Sequence, residues 1–384
     1  MVKVRSARDV FLTLDERGRL DNLPFVMRWS CGQTLSVDNR EAVLGTDPLR
    51  VPPEEGGPPL RYEDVEPVDP IVSVVLPTHN RPEWLLRALS SVLEGEFDDL
   101  EVVVSNNGER EHTRRLRTKL QDSRVRWVEQ DHAPGMLDNL LAGLALTRGR
   151  YVAVLHDDDR WSPRFLSTLV PPLERHPEAV IAFADHYVTN ERGEADAVAT
   201  ERNTRLSGRA DLGEGLHQPF FGAVVQRSVA MTACVFRKEA LAISKITAEV
   251  GPFYDVWVPY LLASTGGAAY FSRERVMYYR EHAASVSATA DLAGCLAYVA
   301  CRQRMLKDPR LRPYARLIGK QLAGDHVATG ARLLREGARG PARRHLLASM
   351  RLNPALKPLA GWAASWIAPK ALLARFEGSI RWSV

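Results

Sequence analysis

Ile71-Val72-Ser73-Val74-Val75-Leu76-Pro77-Thr78-His79-Asn80-Arg81 decides the fold of this chain. Its first six residues are apolar or small without polar alternation, the pattern of a short strand buried on both faces, and Pro77 ends it. Pro82 then opens a helix whose apolar face is Trp84, Leu85, Ala88, Leu89 and Val92. Leu100 to Val104 reads as a second strand, followed by the polar turn Ser105-Asn106-Asn107-Gly108. A charged helix over Glu109 to Leu120, a strand over Val125 to Val128 and a helix over Met136 to Thr147 come next. That last helix shows Met136, Leu140, Leu144 and Ala145 on one face and is ended by Gly149. Tyr151 to Leu155 is the fourth strand. The alternation predicts an α/β fold: a doubly wound, mostly parallel sheet flanked by helices, with ligands beyond the C-terminal ends of its strands.

The fourth strand delivers Leu155-His156-Asp157-Asp158-Asp159 to such an end. Three adjacent carboxylates repel one another and are costly to desolvate without a counter-charge. One reading is a divalent cation carrying a phosphorylated ligand. The other is a solvated acidic turn, because Ser162 and Pro163 follow as helix-start signals.

Working outward, a helix over Pro163 to Arg175 and a strand over Val180 to Phe183 follow, then a turn at Glu191-Arg192-Gly193-Glu194. Thr200 to Val229 is polar and Gly-rich and reads as a mobile loop. Thr232 to Phe236 and Ala268 to Phe271 read as strands, and Asp255 to Ser264 as a helix. Residues 1–46 hold short apolar pieces and read as a small β-rich appendage. Residues 47–70 have a linker's Pro, Gly and acid content, residues 71–289 read as the α/β domain, and residues 290–384 as a basic helical region. From Arg302 onward 17 Lys or Arg face four acids, +13 in a chain of net +4, so residues 1–301 carry −9. A basic tail suits an anionic surface. A helical bundle packed on the α/β domain, its arginines solvated, is the first reading of the tail, with membrane contact as an addition to it; nucleic acid comes third, since no nucleic-acid motif accompanies the charge. The chain begins without an apolar leader, Leu359 to Ala368 is too short to span a bilayer, and four cysteines show no paired spacing. A cytoplasmic protein, peripheral at the inner membrane face where the tail binds lipid, is expected; no oligomeric state is assigned.

With those residues in hand, the chain resembles the family 2 glycosyltransferases of GT-A fold from about Ile71 to Ser287. The resemblance is carried by Val74 to Arg81, by Gly135, Asn139 and Gly149-Arg150-Tyr151, by Leu155 to Pro163 with its Trp161-Ser162-Pro163 continuation, by Phe253-Tyr254-Asp255-Val256-Trp257, and by Tyr279-Arg280-Glu281-His282 running on to Ser287. Two departures stand out: Asn106-Asn107-Gly108 replaces an Asp-containing base-reading turn, and His156 takes the place of the first acid of the usual string.

The resemblance implies an inverting, metal-dependent transfer of a sugar from a nucleotide-diphosphate sugar to an acceptor hydroxyl, in polysaccharide, glycolipid or glycosylated-metabolite synthesis. Asp255 would be the catalytic base, with an N-cap as its plain alternative and Glu249 as the fallback base. Asp158, Asp159 and His282 would hold Mg²⁺ or Mn²⁺, while Pro77, Thr78, Asn80, Arg81, Asn107, Gly135, Asn139 and Asp157 would form the nucleotide pocket. The base is left open among UDP, dTDP and GDP. Trp257 and Pro219 to Gly222 would line the acceptor site or pack in the core. Two rivals stand beside this reading: a nucleotidyltransferase making sugar nucleotides, which would carry a Gly-rich phosphate loop after the first strand, and a non-catalytic sugar-nucleotide-binding protein.

Overall fold

A computed structural model describes residues 26–28, 34–36, 69–131, 135–282 and 291–367. The chain divides into two compact units, Met1–Asp69 and Pro70–Val384. In the first, β1 (Val26–Arg28) and β2 (Thr34–Ser36) pair antiparallel. The remainder of the expected appendage and linker lies outside the described residues, apart from Asp69 and Pro70.

The second unit is built on one mixed sheet. Its parallel half comprises β3 (Val72–Thr78), β4 (Leu100–Asn106), β5 (Val125–Glu129) and β6 (Tyr151–Val154). They lie parallel in the order β5-β4-β3-β6, with α1 (Pro82–Leu93), α2 (Arg110–Lys119) and α3 (Met136–Ala145) as the crossover helices between them. The other half comprises β7 (Arg160–Trp161), β8 (Ala179–Thr189), β10 (Cys234–Arg237) and the 13-residue β11 (Ala268–Arg280). Strand β10 runs antiparallel between β6 and β8, and β11 runs parallel to β8. Strands β7 and β9 (Gly215–His217) pair antiparallel with β11.

Alternating side chains feed two cores. Val72, Val74 and Leu76 of β3 join Leu85, Leu89, Leu169 and Leu173 of α1 and α4 (Phe165–Arg175), whereas Val75 joins Leu140 and Leu144 of α3 on the opposite face. That second core also takes Tyr254, Val258 and Leu262 of α7 (Tyr254–Ala263) and Tyr298 of α8 (Leu292–Lys307). Helices α9 (Ala315–Arg335), α10 (Arg339–Leu352) and α11 (Leu356–Ile367) continue from there.

Three local expectations change. The buried face of α3 is Leu137, Asn139, Leu140, Gly143 and Leu144, and Ala145 faces solvent. Gly149 lies beyond the helix end and is needed for close approach, since a Cβ there would meet the backbone N of Ser73 at 2.5 Å. Thr200 to Val229 is not a loop: it holds most of α5 (Ala197–Leu206), a 3₁₀ turn, β9 and α6 (Phe221–Val225). Its polar residues are used inside, where Asp185 of β8 accepts hydrogen bonds from Arg209 Nε (2.7 Å) and Thr204 Oγ1 (2.8 Å).

Candidate active site

The C-terminal ends of β3, β4 and β6 converge on the acidic run, and β3 positions the first partners. Thr78 is its last residue, and its hydroxyl donates to Asp157 Oδ2 at 2.8 Å. Arg81, at the N-terminus of α1, bridges Asp157 Oδ1 (3.2 Å) and Asp158 Oδ2 (3.1 Å). Beta-11 ends opposite. There the backbone N of Arg280 donates to Asp159 Oδ1 (2.9 Å), its Nε to the Asp158 carbonyl (2.8 Å), and His282 Nε2 lies 3.0 Å from Asp158 Oδ2. Trp84 joins the two sides: the guanidinium carbons of Arg81 and Arg280 lie 5.2 and 5.3 Å from its ring, and His282 meets it edge-on. Trp84 was expected only as helix packing, and Arg280 only as part of a motif; no spacing signal marks either as a site residue.

The three carboxyls differ electrostatically. Burial and the neighbouring charge of Asp158 push Asp159 well above the usual carboxylate range. Asp157 is raised for the same two reasons, less strongly. Burial also acts on Asp158, but the hydrogen bond from His282 and the charges of His156 and Arg81 outweigh it and hold that carboxyl low. The anion of the run is therefore centred on Asp158.

One atom of each of His156, Asp158 and Asp159 lies within 4.8 Å of the others. Asp159 Oδ2 is buried and finds no hydrogen-bond partner among the described residues. Two carboxylates and an imidazole with an orphaned oxygen are a donor set that suits a hard or borderline divalent cation. This group shares Asp158 and Asp159 with the expected set and adds His156, while the expected His282 lies against Asp158 Oδ2.

The nucleotide loop closes around two constrained residues. Asn80 has φ 55, and its Oδ1 accepts from the backbone N of Glu109 at 2.6 Å. Gly108 packs so closely on Asn80 that no Cβ fits. Asn107 Oδ1 lies 3.1 Å from His79 Nδ1, and its Nδ2 donates to the carbonyl of Gly135, the residue before α3. Asn139 is a correction. It is buried, donates to the carbonyls of Ser105 (2.9 Å) and Thr78 (3.3 Å), and accepts from Ser105 Oγ, so it braces the loop from behind rather than facing a ligand. Pro77 is likewise buried within β3.

Asp255 sits in the first turn of α7, whose N-cap is Phe253, so the expected cap role does not hold. Its Oδ2 accepts from Arg227 at 2.9 Å, and its Oδ1 is buried without a partner among the described residues. The adjacent Tyr254 hydroxyl hydrogen-bonds to His156, tying this turn to the acidic corner. Glu249 faces solvent and pairs with Arg304. Trp161 is buried, stacks on Phe165 and donates to the Thr232 carbonyl (2.8 Å), which props the acidic loop from below. Trp257, Phe220 and Phe221 belong to the core.

This convergence is matched by sequence. Residues 73–232 fit the family "Glycosyl transferase family 2". That segment is a family 2 glycosyltransferase domain. Its relatives include the putative colanic acid biosynthesis glycosyl transferase WcaA of Escherichia coli K12, 26% identical over 122 residues (31% of this chain, 44% of the relative). A second is the GalNAc(5)-diNAcBac-PP-undecaprenol beta-1,3-glucosyltransferase of Campylobacter jejuni, 35% identical over 104 residues (26% and 34%). The chain thus spans about a third to a half of these relatives. Among solved structures, S. aureus TarS 1-349 in complex with UDP-GlcNAc superimposes with TM-score 0.56 at 12% identity, covering 77% of this chain and 90% of that one. The mannosyltransferase PcManGT of Pyrobaculum calidifontis with GDP-Man and Mn²⁺ gives 0.50 at 17% identity, covering 81% and 84%. At these identities the superpositions show the GT-A fold. The matched segment holds the acidic run, and Asp255 and the β11 end, which lie beyond it in sequence, meet that run at one edge of the sheet.

Proposed function

We propose that the protein is an inverting, metal-dependent glycosyltransferase that moves a sugar from a nucleotide-diphosphate sugar to an acceptor hydroxyl. The observation that carries this reading is the meeting of Asp158 with Arg81 from α1 and His282 from the β11 end, beside a turn that holds Asp255. His156, Asp158 and Asp159 would hold Mg²⁺ or Mn²⁺, which when bound neutralises the diphosphate leaving group. Arg81 and Arg280 add fixed positive charge beside that group, and Asp157 stands where a ribose hydroxyl would be met. Asn80, Asn107 and the Gly135 carbonyl flank the base; an amide donates as well as accepts, so the pocket is compatible with UDP, dTDP or GDP. Asp255 takes the acceptor proton as the hydroxyl oxygen attacks the anomeric carbon and the bond to diphosphate breaks, in one displacement.

The acceptor is proposed to be lipid-linked. Relatives named for diphosphoundecaprenol acceptors point this way. So does the far end of the chain, where Leu356, Leu359 and Trp366 are exposed, Lys357 and Arg344 face solvent, and Arg343 covers the Trp366 ring. Apolar residues framed by cations suit an anionic membrane surface. Among the described residues no helix is long and apolar enough to cross a membrane, so contact would be peripheral.

Calorimetry of UDP, GDP and dTDP with and without Mn²⁺ tests the site. One nucleotide should bind at least tenfold tighter with metal, and Asp158→Ala should abolish that gain. Equal binding with and without metal for every nucleotide would refute the metal-assisted site.

A further inference from the structure

We infer that Arg227 is an anion receptor for the acceptor, covering the candidate base until a phosphate group on the acceptor takes the guanidinium. The inference rests on the reading of Asp255 as the base and names the acceptor's chemical class.

The first observation is backbone strain. Arg227 has φ 62, one of two non-glycine residues in the left-handed region among those described; the other, Asn80, lies in the nucleotide loop. An L-residue there is strained and persists where its surroundings enforce it. They do so here: Arg227 N donates to the Val224 carbonyl (3.0 Å), Ser228 N to that of Ala223 (2.8 Å), and Gln321 of α9 donates through Nε2 to that of Val225 (2.9 Å). The strained turn aims the guanidinium at Asp255.

The second observation is which oxygen is covered. Oδ1 of Asp255 is buried, so the oxygen left for an acceptor hydroxyl is Oδ2, and that is the one Arg227 occupies. While the pair is closed, Arg227 takes one of the acceptor positions of Oδ2 and competes with an acceptor hydroxyl for that oxygen. Both side chains remain within reach of solvent, 27% exposed for Arg227 and 31% for Asp255.

The third is spare donor capacity. A guanidinium offers five N–H groups in a fork that matches phosphate, and Arg227 makes one side-chain hydrogen bond among the described residues. Neighbouring arginines are committed. Arg302 pairs with Asp325 and bonds Gln321, while Arg81 and Arg280 are tied to the acidic run. An acceptor phosphate would pair with those spare N–H groups and, by competing for the guanidinium's charge and orientation, draw it from Oδ2. The acceptor proton then passes to Oδ2, its oxygen bonds to the anomeric carbon, and the electron pair of the broken bond leaves on the diphosphate.

The test compares three acceptors bearing the same sugar: a short-chain lipid diphosphate, a short polyol-phosphate oligomer and a phosphate-free alkyl glycoside. Each is assayed with wild type, Arg227→Gln and Arg227→Lys. Wild type should prefer at least one phosphate-bearing acceptor over the glycoside by tenfold or more in kcat/KM, and which one is used tells lipid from polymer. Arg227→Gln should cut that preference at least tenfold, chiefly through KM for the phosphate-bearing acceptor, and Arg227→Lys should restore part of it. Equal losses on all acceptors would mean that Arg227 only positions Asp255, and would overturn the inference. Should the variants fail to fold, a wild-type preference below tenfold overturns it alone. Wild type that transfers to no acceptor sinks the glycosyl-transfer reading itself, whereas active wild type with an unchanged preference in Arg227→Gln sinks only this inference.

Discussion

Replacing Asp159 by asparagine separates what the acidic corner costs the fold from what it does for a ligand. Asp159 is buried, and both burial and the charge of Asp158 disfavour its ionised form. Asparagine keeps an oxygen for the Arg280 backbone N–H now 2.9 Å away, and it removes the repulsion. Relieving a destabilised site of this kind commonly gains about 1 kcal/mol, which for a domain of this size raises Tm by about 2 °C. Cation binding should reverse the ranking. At a hundredfold excess over its Kd, Mn²⁺ stabilises wild type by about 2.7 kcal/mol, or roughly 5 °C, and a variant without the Asp159 ligand gains little. Thermal melts of both proteins above neutral pH, with Mn²⁺ and with chelator, read the two effects separately. A variant that melts lower than wild type in chelator and still rises with Mn²⁺ would refute both the strain and the ligand role.

Three further outcomes follow from other parts of the fold. Asp255→Asn should lower kcat by about 10²–10⁴ while leaving donor affinity within a few-fold, as initial rates and calorimetry would show. Gly149→Ala should cost about 1–3 kcal/mol in chemical denaturation, because the new Cβ would meet Ser73 N at 2.5 Å and Val72 C at 2.8 Å. The His326–His345 contact between α9 and α10 should make stability fall with pH. Burial, with His345 beside it, lowers His326 from 6.5 to about 4, so the unfolded chain binds the extra proton first. Stability should decline from about pH 6.5 to about 4, by on the order of 3 kcal/mol, and His326→Leu should flatten that slope in urea melts.

The parallel half of the sheet was legible because each buried strand is an uninterrupted apolar run closed by a turn. Val72 to Leu76 and Leu100 to Val104 could be little else. Beta-8 and β11 were read short. Their later residues begin with polar stretches, Asp185-His186 and Ser272 to Arg275, and what keeps them in the sheet is long-range pairing with each other and ion pairs such as Asp185 with Arg209. Thr200 to Val229 looked like a loop for the same reason: its order depends on buried hydrogen bonds to distant partners, which local composition does not reveal. At the site, the acidic run and Asp255 were visible as residue types in a familiar order. Arg227 and Tyr254 were not, because their meaning lies in contacts with Asp255 and His156, 28 and 98 positions away in sequence.

The central claim is tested most directly by turnover. A panel of UDP-, GDP- and dTDP-sugars is incubated with the full chain, Mn²⁺ and an acceptor mixture, and release of nucleoside diphosphate is followed for wild type, Asp158→Ala and chelator-treated protein. The account predicts release from one donor class, lost on chelation and reduced at least a hundredfold in Asp158→Ala. Tight, metal-independent binding of a nucleotide sugar with no turnover of any donor would contradict it.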